Sequence, residues 1–250
     1  MQNPTCTPLG QTPAETSINV MPACNRALDL FCCLLALPVL VLWTLLMAMV
    51  TSVVSPGPVF FRQERVGFRG RRFKIFKFRT MRVGTDTTVH QNHTRHLIES
   101  NATMTKLDDL HDTRLIPGGW LLRASGMDEL PQIINVLCGD MSLVGPRPCI
   151  PSEFNLYLPW QQERVNAVPG LTGLWQVSGK NRTTFDEMIR LDIHYARHVS
   201  LWLNLKIIFL TPWSMAVQFS DARLNRKSPV AIAAVSVSGL PLIPVRQTEQ

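Results

Sequence analysis

Positions 30–54 carry no charge: LFCCLLALPVLVLWTLLMAMVTSVV, 25 residues. A helix needs about 20 apolar residues to cross a bilayer, so the run predicts a membrane helix. A cleaved secretory signal fits poorly. Nothing positive precedes Arg26, the run is too long for a signal core, and no small-x-small cleavage site follows. A buried core helix would need protein on every side, which a chain of this size does not offer. Pro38 interrupts the run. Inside a helix it removes one hydrogen bond and clashes one turn back. Two topologies are therefore open: a kinked helix that spans, and a broken helix that turns and leaves by the face it entered. Ser55-Pro-Gly-Pro58 ends the run.

Beyond it the pattern changes. Segments 59–61 and 72–78 read as strands, because RFKIFKF alternates basic and apolar residues with period two. Residues 84–113 are polar and turn-rich and predict a loop with a weak helix. A short helix is expected at 128–137, a rigid loop at Gly145-Pro-Arg-Pro148, and a helix at 151–165. A glycine-punctuated loop or short strand is expected at 169–179, and an amphipathic helix at 184–198. Segment 200–217 is very apolar, with Lys206 its only charge and Trp202 and Trp213 near its ends. Pro212 is expected to break it into helices lying in the membrane interface, where tryptophan and a snorkelling lysine are at home. The domain reading is a flexible tail at 1–25, a membrane helix at 26–58, a globular domain at 59–221 and a second tail at 222–250. The fold class expected is α+β and helix-rich, with a small β-sheet.

Composition sharpens this picture. Charged residues are 17% of the chain, below the usual quarter, which suits a surface that does not all face water. The net charge of +7 is concentrated: positions 62–82 hold nine Lys/Arg against Glu64 alone, or +8, leaving −1 for the rest. This basic cluster directly follows the apolar run and marks its C-terminal side as cytoplasmic. The other flank offers only Arg26, so charge does not place residues 1–25. The six cysteines, at 6, 24, 32, 33, 138 and 149, form no C-x-x-C pair and no disulfide framework, which favours a reducing compartment for the globular part.

Several standard sites are absent: G-x-G-x-x-G, G-x-S-x-G and D-x-D do not occur. Gly173 to Lys180 resembles a phosphate-binding loop, but has one residue too many, and Asn181 stands where Ser or Thr is needed. His90, His93 and His96 lie three apart in a polar segment that supplies no fourth ligand, and read as solvated. What stands out is Asp128-Glu129, with Arg123 upstream and Arg147 downstream. Helix capping is one explanation, since Ser125-x-x-Asp128 fits a capping box. It places Pro131 in the second turn, where its missing N–H would be needed. With Asp128 itself as N-cap, Pro131 falls at the third position, where the donor is an orphan anyway. Capping and catalysis both remain open on these residues.

Four blocks carry a resemblance: SPGPVFFRQERVG, FKIFKFRTM, DELPQIINVLCGDMSLVGPRP and PGLTGLWQVSGKNR. In this order they resemble the bacterial sugar transferases, the polyprenyl-phosphate hexose-1-phosphate transferases that start exopolysaccharide and other surface glycan assembly. The likeness runs from about residue 26 to 217 and suits the minimal form with one membrane segment. The segment starting TGLWQVSGKNR most resembles members that load glucose or galactose phosphate. The resemblance implies Asp128 as nucleophile and Glu129 as its partner. It implies that Lys77, Arg79, Arg123 and Arg147 bind phosphate or substrate, and that Asp128 holds Mg²⁺ together with the substrate phosphates. Arg26 and Asp29 match the start of the family's membrane helix and Pro38 its break. That helix is re-entrant, so a monotopic protein of the bacterial cytoplasmic membrane is implied, active on the cytoplasmic face. The implied partners are a UDP-sugar, undecaprenyl phosphate, the membrane and downstream glycosyltransferases, with no nucleic acid. Two positions depart from the pattern: Asn25, where a second basic residue is common, and Asn204, where an acid is usual. The chemistry agrees with these roles, because a carboxylate attacking a pyrophosphate meets charge repulsion that cations must offset. The main rival is a non-catalytic, membrane-anchored basic protein that binds anionic lipid or nucleic acid. It leaves Asp128-Glu129 without a purpose.

Overall fold

The computed structural model describes residues 21–82, 84, 88–104, 114–179 and 182–227, with 88–91 and 221–227 as backbone alone. Most of both expected tails, the Lys180-Asn181 end of the phosphate-loop resemblance and the His90 side chain lie outside the described residues. The elements run α1 (Ala23–Val54), β1 (Phe60–Val66), β2 (Arg72–Phe78), α2 (Thr88–Glu99), α3 (Gly119–Ser125), α4 (Gln132–Cys138) and β3 (Ser142–Val144). After them come α5 (Pro151–Phe154), α6 (Pro159–Gln162), β4 (Gly170–Thr172), α7 (Leu174–Val177), α8 (Phe185–Arg197) and α9 (Leu201–Lys227). The described part is helix-rich and holds two small sheets, an antiparallel β1–β2 hairpin and a parallel β3–β4 pair.

Helix α1 is long and apolar enough to cross a membrane. It is helical from end to end with Pro38 inside it, which differs from the break expected there. Pro38 removes only the bond to the Leu34 carbonyl, and packing holds the helix on both sides of it. Its buried positions, Asn25, Asp29, Cys33, Leu40, Met47 and Thr51, are spaced by fours and sevens and draw one stripe. Cys33, Leu40 and Met47 share a core with Phe73, Ile75 and Phe78 of β2 and Ile133 and Val136 of α4. The opposite face is bare: Leu34, Leu42 and Val53 are 61%, 70% and 81% exposed.

Both ends of α1 are tied to the domain that follows. Arg26 donates to the Val136 carbonyl at 2.6 Å and the Leu137 carbonyl at 3.0 Å, in the last turn of α4, where carbonyls lack helical partners. Asp29 accepts from the Leu143 N–H at 3.0 Å. At the far end Arg79 donates from Nε to the Pro58 carbonyl at 2.8 Å and from Nη1 to Ser55 Oγ at 3.1 Å. Its Nη2 bonds the Ser55 carbonyl. Arg26 and Asp29 thus both bond the domain. Arg79, expected to bind phosphate, is buried, and each of its three guanidinium nitrogens bonds the end of α1 instead.

In the hairpin, Phe61 faces Lys77 and Arg65 faces Phe73 across the strands, so Arg65 and Lys77 lie on one face of the sheet. The free edge of β2 is closed by Asn135 of α4. Its Oδ1 accepts from the Phe76 N–H at 3.0 Å, and its Nδ2 donates to the Lys74 carbonyl at 2.8 Å. That pairing fixes α4, and the turn before it, against Lys77.

Proline decides two more differences from expectation. The helix expected at 151–165 is three short pieces: α5, α6 and a 3-10 turn at Glu163–Asn166. Pro159 disfavours a helical residue before it, and Leu158 is extended, at ψ 156°. Pro212, by contrast, does not break α9. Side chains secure the helix around it: Thr211 Oγ1 meets Thr172 Oγ1 at 2.8 Å, and Ser214 Oγ donates to the Gln176 carbonyl at 2.9 Å. Trp202, Phe209 and Trp213 form an exposed stripe on α9 with Lys206 between them. Helix α8 follows expectation, started by a Thr184–Glu187 capping box.

Candidate active site

The site is built where α3 gives way to α4. Gly126 ends α3 in the left-handed region, at φ +72°, a conformation glycine takes without strain. A 3-10 turn, Met127–Glu129, follows and carries both acids. Pro131 then serves as N-cap of α4 with no side-chain cap bond. Pro131 lacks the N–H that an α-helical bond to the Met127 carbonyl would need; the chain takes the tighter 3-10 turn there, and α4 begins only at Gln132. Neither capping arrangement is realised. Ser125 Oγ donates to the Leu122 carbonyl instead, and Asp128 lies outside α4. The carboxylate of Asp128 thus has no role in holding a helix end.

The two acids sit in opposite surroundings. Glu129 Oε1 accepts from Lys77 Nζ at 2.8 Å and Arg147 Nη2 at 2.9 Å. Its Oε2 accepts from Arg147 Nη1 at 3.3 Å. Asp128 is buried, and among the described residues no hydrogen bond reaches its carboxylate. Burial pushes the Asp128 carboxyl above its ordinary range and the neighbouring Glu129 adds to this, while Lys77, Arg123 and Arg147 pull it back. Burial also resists the ionisation of Glu129, but Arg147 and Lys77 outweigh it and hold that carboxyl well below its usual range. Glu129 in turn raises Arg147, and burial lowers Lys77. Glu129 is the fixed anion of the pair. Asp128 is the carboxylate with a free lone pair and raised basicity, as a nucleophile requires.

Arg147 is aimed by a rigid loop. Gly145 donates to the Thr172 carbonyl at 2.8 Å, and the Pro146 carbonyl accepts from Gly170 at 3.0 Å. A Cβ at Gly145 would stand 2.1 Å from the Val168 carbonyl oxygen, so only glycine permits this approach. The Arg147 carbonyl accepts from Arg164 at 3.0 Å and the Pro148 carbonyl from Arg65 at 3.0 Å. Arg164 is itself held by Asp192 at 2.6 Å and by the Tyr157 hydroxyl at 2.7 Å. Burial pushes Asp192 up to about 6 despite Arg164.

A cavity of about 660 Å³ opens over these groups. It brings together Lys77, Arg123, Asp128, Glu129 and Arg147 as expected. Cys32 and Ala36 of α1 and Ile208, Thr211 and Met215 of α9 form an apolar wall. Arg26, Asp29 and Arg79 do not line it. Arg65, Arg164 and Asp192 were not singled out from sequence. Signals for two of them existed: Arg65 shares the period-two face of Lys77, and Asp192 is a lone acid on the apolar stripe of α8.

Among the described residues no cluster of three or more His, Cys, Asp or Glu could cage a metal ion. The donor set nevertheless fits Mg²⁺, which takes one or two carboxylates and completes its shell with water and substrate phosphates. Of the described carboxylates that line the cavity, Asp128 is the one without a hydrogen bond, Glu129 and Glu153 being engaged by Lys77, Arg147 and Tyr157. The basic window of positions 62–82 is no loose arm: its core is the β1–β2 hairpin, with Lys77 engaged at Glu129 and Arg79 at the end of α1.

Comparison with known proteins matches residues 20–218 to the model of the family described as bacterial sugar transferase. The galactosyl transferase CpsE of Streptococcus agalactiae is 45% identical over 161 residues, 62% of this chain and 34% of that protein. The exopolysaccharide production protein ExoY of Sinorhizobium fredii is 36% identical over 189 residues, 75% of this chain and 83% of that protein. The UDP-glucose:undecaprenyl-phosphate glucose-1-phosphate transferase of Xanthomonas campestris is 43% identical over 182 residues, 68% of this chain and 34% of that protein. The chain therefore spans about a third of the length of two of these relatives and most of the third.

Proposed function

Because this chain belongs to the bacterial sugar transferase family, we propose that it transfers a hexose 1-phosphate from a UDP-sugar to undecaprenyl phosphate, releasing UMP. The observation that carries this reading is the split pair: a buried, unbonded Asp128 beside a Glu129 neutralised by Lys77 and Arg147. Asp128 attacks the phosphorus that bears the sugar. The bond from that phosphorus to the bridging oxygen breaks, and the bridging oxygen leaves on UMP. A phosphate oxygen of undecaprenyl phosphate then attacks the same phosphorus, forming the lipid diphosphate sugar and freeing the aspartate. Mg²⁺, held by Asp128 and the substrate phosphates, would offset the charge of the diphosphate. Lys77 and Arg147 keep Glu129 ionised and in place, and Arg123 lines the same cavity as Asp128. The donor is UDP-glucose or UDP-galactose. The product would feed downstream glycosyltransferases as the first membrane step of exopolysaccharide synthesis.

The test is UMP release by the purified chain given undecaprenyl phosphate, Mg²⁺ and a panel of UDP- and GDP-sugars. Release is expected from UDP-glucose or UDP-galactose, and excess EDTA should stop it. Release from none of the panel would overturn the reading. Full turnover in excess chelator would remove the metal from it.

The chain is inferred to be monotopic in the cytoplasmic membrane, with its site on the cytoplasmic face. Support comes from the two ends of α1, bound through Arg26, Asp29 and Ser55 to one domain. A helix crossing the roughly 30 Å hydrocarbon layer would carry those ends to opposite sides. The bare faces of α1 and α9 are then the surfaces in contact with lipid. A single cysteine at Gln11, in a chain otherwise free of cysteine, should be shielded from an impermeant thiol reagent in intact cells. Labelling from outside would mean that α1 spans. Since the anchors rather than Pro38 hold the helix ends, Pro38→Leu should leave the result unchanged.

A further inference from the structure

The cations expected to grip substrate phosphate are largely engaged within the protein. Lys77 and Arg147 both bond Glu129, and Arg79 bonds the end of α1. Arg164, a further arginine of the cavity wall, bonds Asp192. Arg65 differs. Its hydrogen bonds go to neutral partners, the Pro148 carbonyl at 3.0 Å and Gln63 Oε1 at 2.7 Å. Among the described residues it forms no ion pair, and its Nε–H is buried without a partner. It lines the same cavity as Asp128. Burial and the nearby Arg147 both disfavour its charge and outweigh the support of Glu153 and Glu129, lowering its pKa to about 10. A buried guanidinium with an idle donor and no carboxylate bonded to it is costly by itself, and an anion in the cavity would repay that cost.

Resting on the reaction read above, we propose that Arg65 is a substrate-binding residue that holds the non-reacting phosphate of the nucleotide donor, and the phosphate of UMP after cleavage. Its position fits. Across the hairpin Arg65 is paired with Phe73, four residues from Lys77 on the same strand face, roughly 13 Å along the strand at its usual rise. Long side chains reach inward from both points. The reacting phosphorus belongs at Asp128, beside Lys77, Arg123 and Arg147. The remaining phosphate and the nucleoside then extend toward Arg65. A planar guanidinium suits a phosphate with two free oxygens, where an ammonium would make only a point contact.

The probes are UMP and uridine, titrated calorimetrically into the full chain in detergent with Mg²⁺. Arg65→Gln should weaken UMP binding about tenfold or more, the usual worth of a charge-assisted bond. Arg65→Lys should recover part of this, and uridine binding should be the same in all three proteins. Donor KM should rise in parallel, more than kcat falls. Equal weakening of UMP and uridine would mean that Arg65 only holds the Pro148 carbonyl, and would overturn the proposal. Unchanged UMP binding in Arg65→Gln would also overturn it. If wild-type protein binds UMP through Arg65 but turns over no UDP-sugar, the reading of the reaction fails and that of Arg65 stands.

Discussion

In Asp128→Asn protein, UMP release is expected to fall on the order of 10⁴-fold or more, while the melting temperature stays level or rises slightly. The first half follows from chemistry. An amide nitrogen or oxygen does not form the acyl phosphate of the proposed mechanism, and loss of a nucleophile removes most of an enzyme's rate. The second half follows from the surroundings of Asp128. Its carboxylate is buried, and among the described residues nothing hydrogen-bonds it. Its pKa is raised, by burial first and by Glu129 next. A carboxyl whose folded pKa is raised contributes stability below its unfolded pKa, and that contribution is lost as pH rises through the folded value. Near neutral pH the ionised group is therefore a burden on the fold, and asparagine lifts it. The same shift sets the acid limb of the rate profile. Turnover should decline as pH falls through the Asp128 pKa, above the ordinary aspartate range. The checks are UMP release, a thermal melt, and labelling of the protein by a UDP-sugar carrying radiolabel in the hexose. A labelled Asp128→Asn adduct, or turnover above a few per cent of wild type, would sink the nucleophile assignment.

Much of this was legible in sequence where the signal is local and periodic. The alternation of RFKIFKF gives β2, and the amphipathic pattern at 184–198 gives α8. Asp128, Glu129, Lys77 and Arg147 sit in blocks whose order carried the family likeness, and they meet in one cavity with Arg123, just upstream of the third block. What was not legible depends on partners distant in sequence. Arg79 reads as one more cation in a basic run until Ser55 and Pro58 close around it. Arg26 reads only as the basic start of a membrane helix until the last turn of α4 presents its carbonyls. Proline was read as a local stop, yet the outcome differs at each site. Pro159 breaks a weak helix, whereas Pro38 and Pro212 sit in helices held by packing on both sides. Pro131 leaves Asp128 outside α4, where neither reading by capping had put it. Arg65 was missed because its place on the Lys77 face emerges only once the hairpin register is known, and Arg164 because an arginine in a short turn carries no sign of what it faces.

Glu129→Gln should lose both activity and stability, the reverse of the pattern at Asp128. The Glu129 carboxylate is shared by Lys77 and Arg147, with side chains 23%, 15% and 32% exposed respectively. Glutamine keeps the shape but leaves two cations facing one neutral amide, whose oxygen can accept from only one side well. Breaking a buried ion pair costs about 3–5 kcal/mol. The partial exposure of Arg147 puts this case at or below the low end, roughly 2–3 kcal/mol. The stability loss should depend on pH in a defined sense. Glu129 has a depressed folded pKa, so its contribution is complete above the unfolded glutamate value and is lost as pH falls through the folded value. The gap in melting temperature between wild type and Glu129→Gln should thus be full near pH 7 and shrink in acid. Activity should fall about 10²–10³-fold, the effect of losing a positioned electrostatic group rather than the nucleophile, because Arg147 and Lys77 are no longer fixed and repel each other. Glu129→Asp keeps the charge and should recover part of both losses. A Glu129→Gln protein as stable as wild type across this pH range would show that the Lys77–Glu129–Arg147 bridge does not hold the site together. Rate loss without stability loss would move Glu129 from positioning to direct contact with the reacting phosphate.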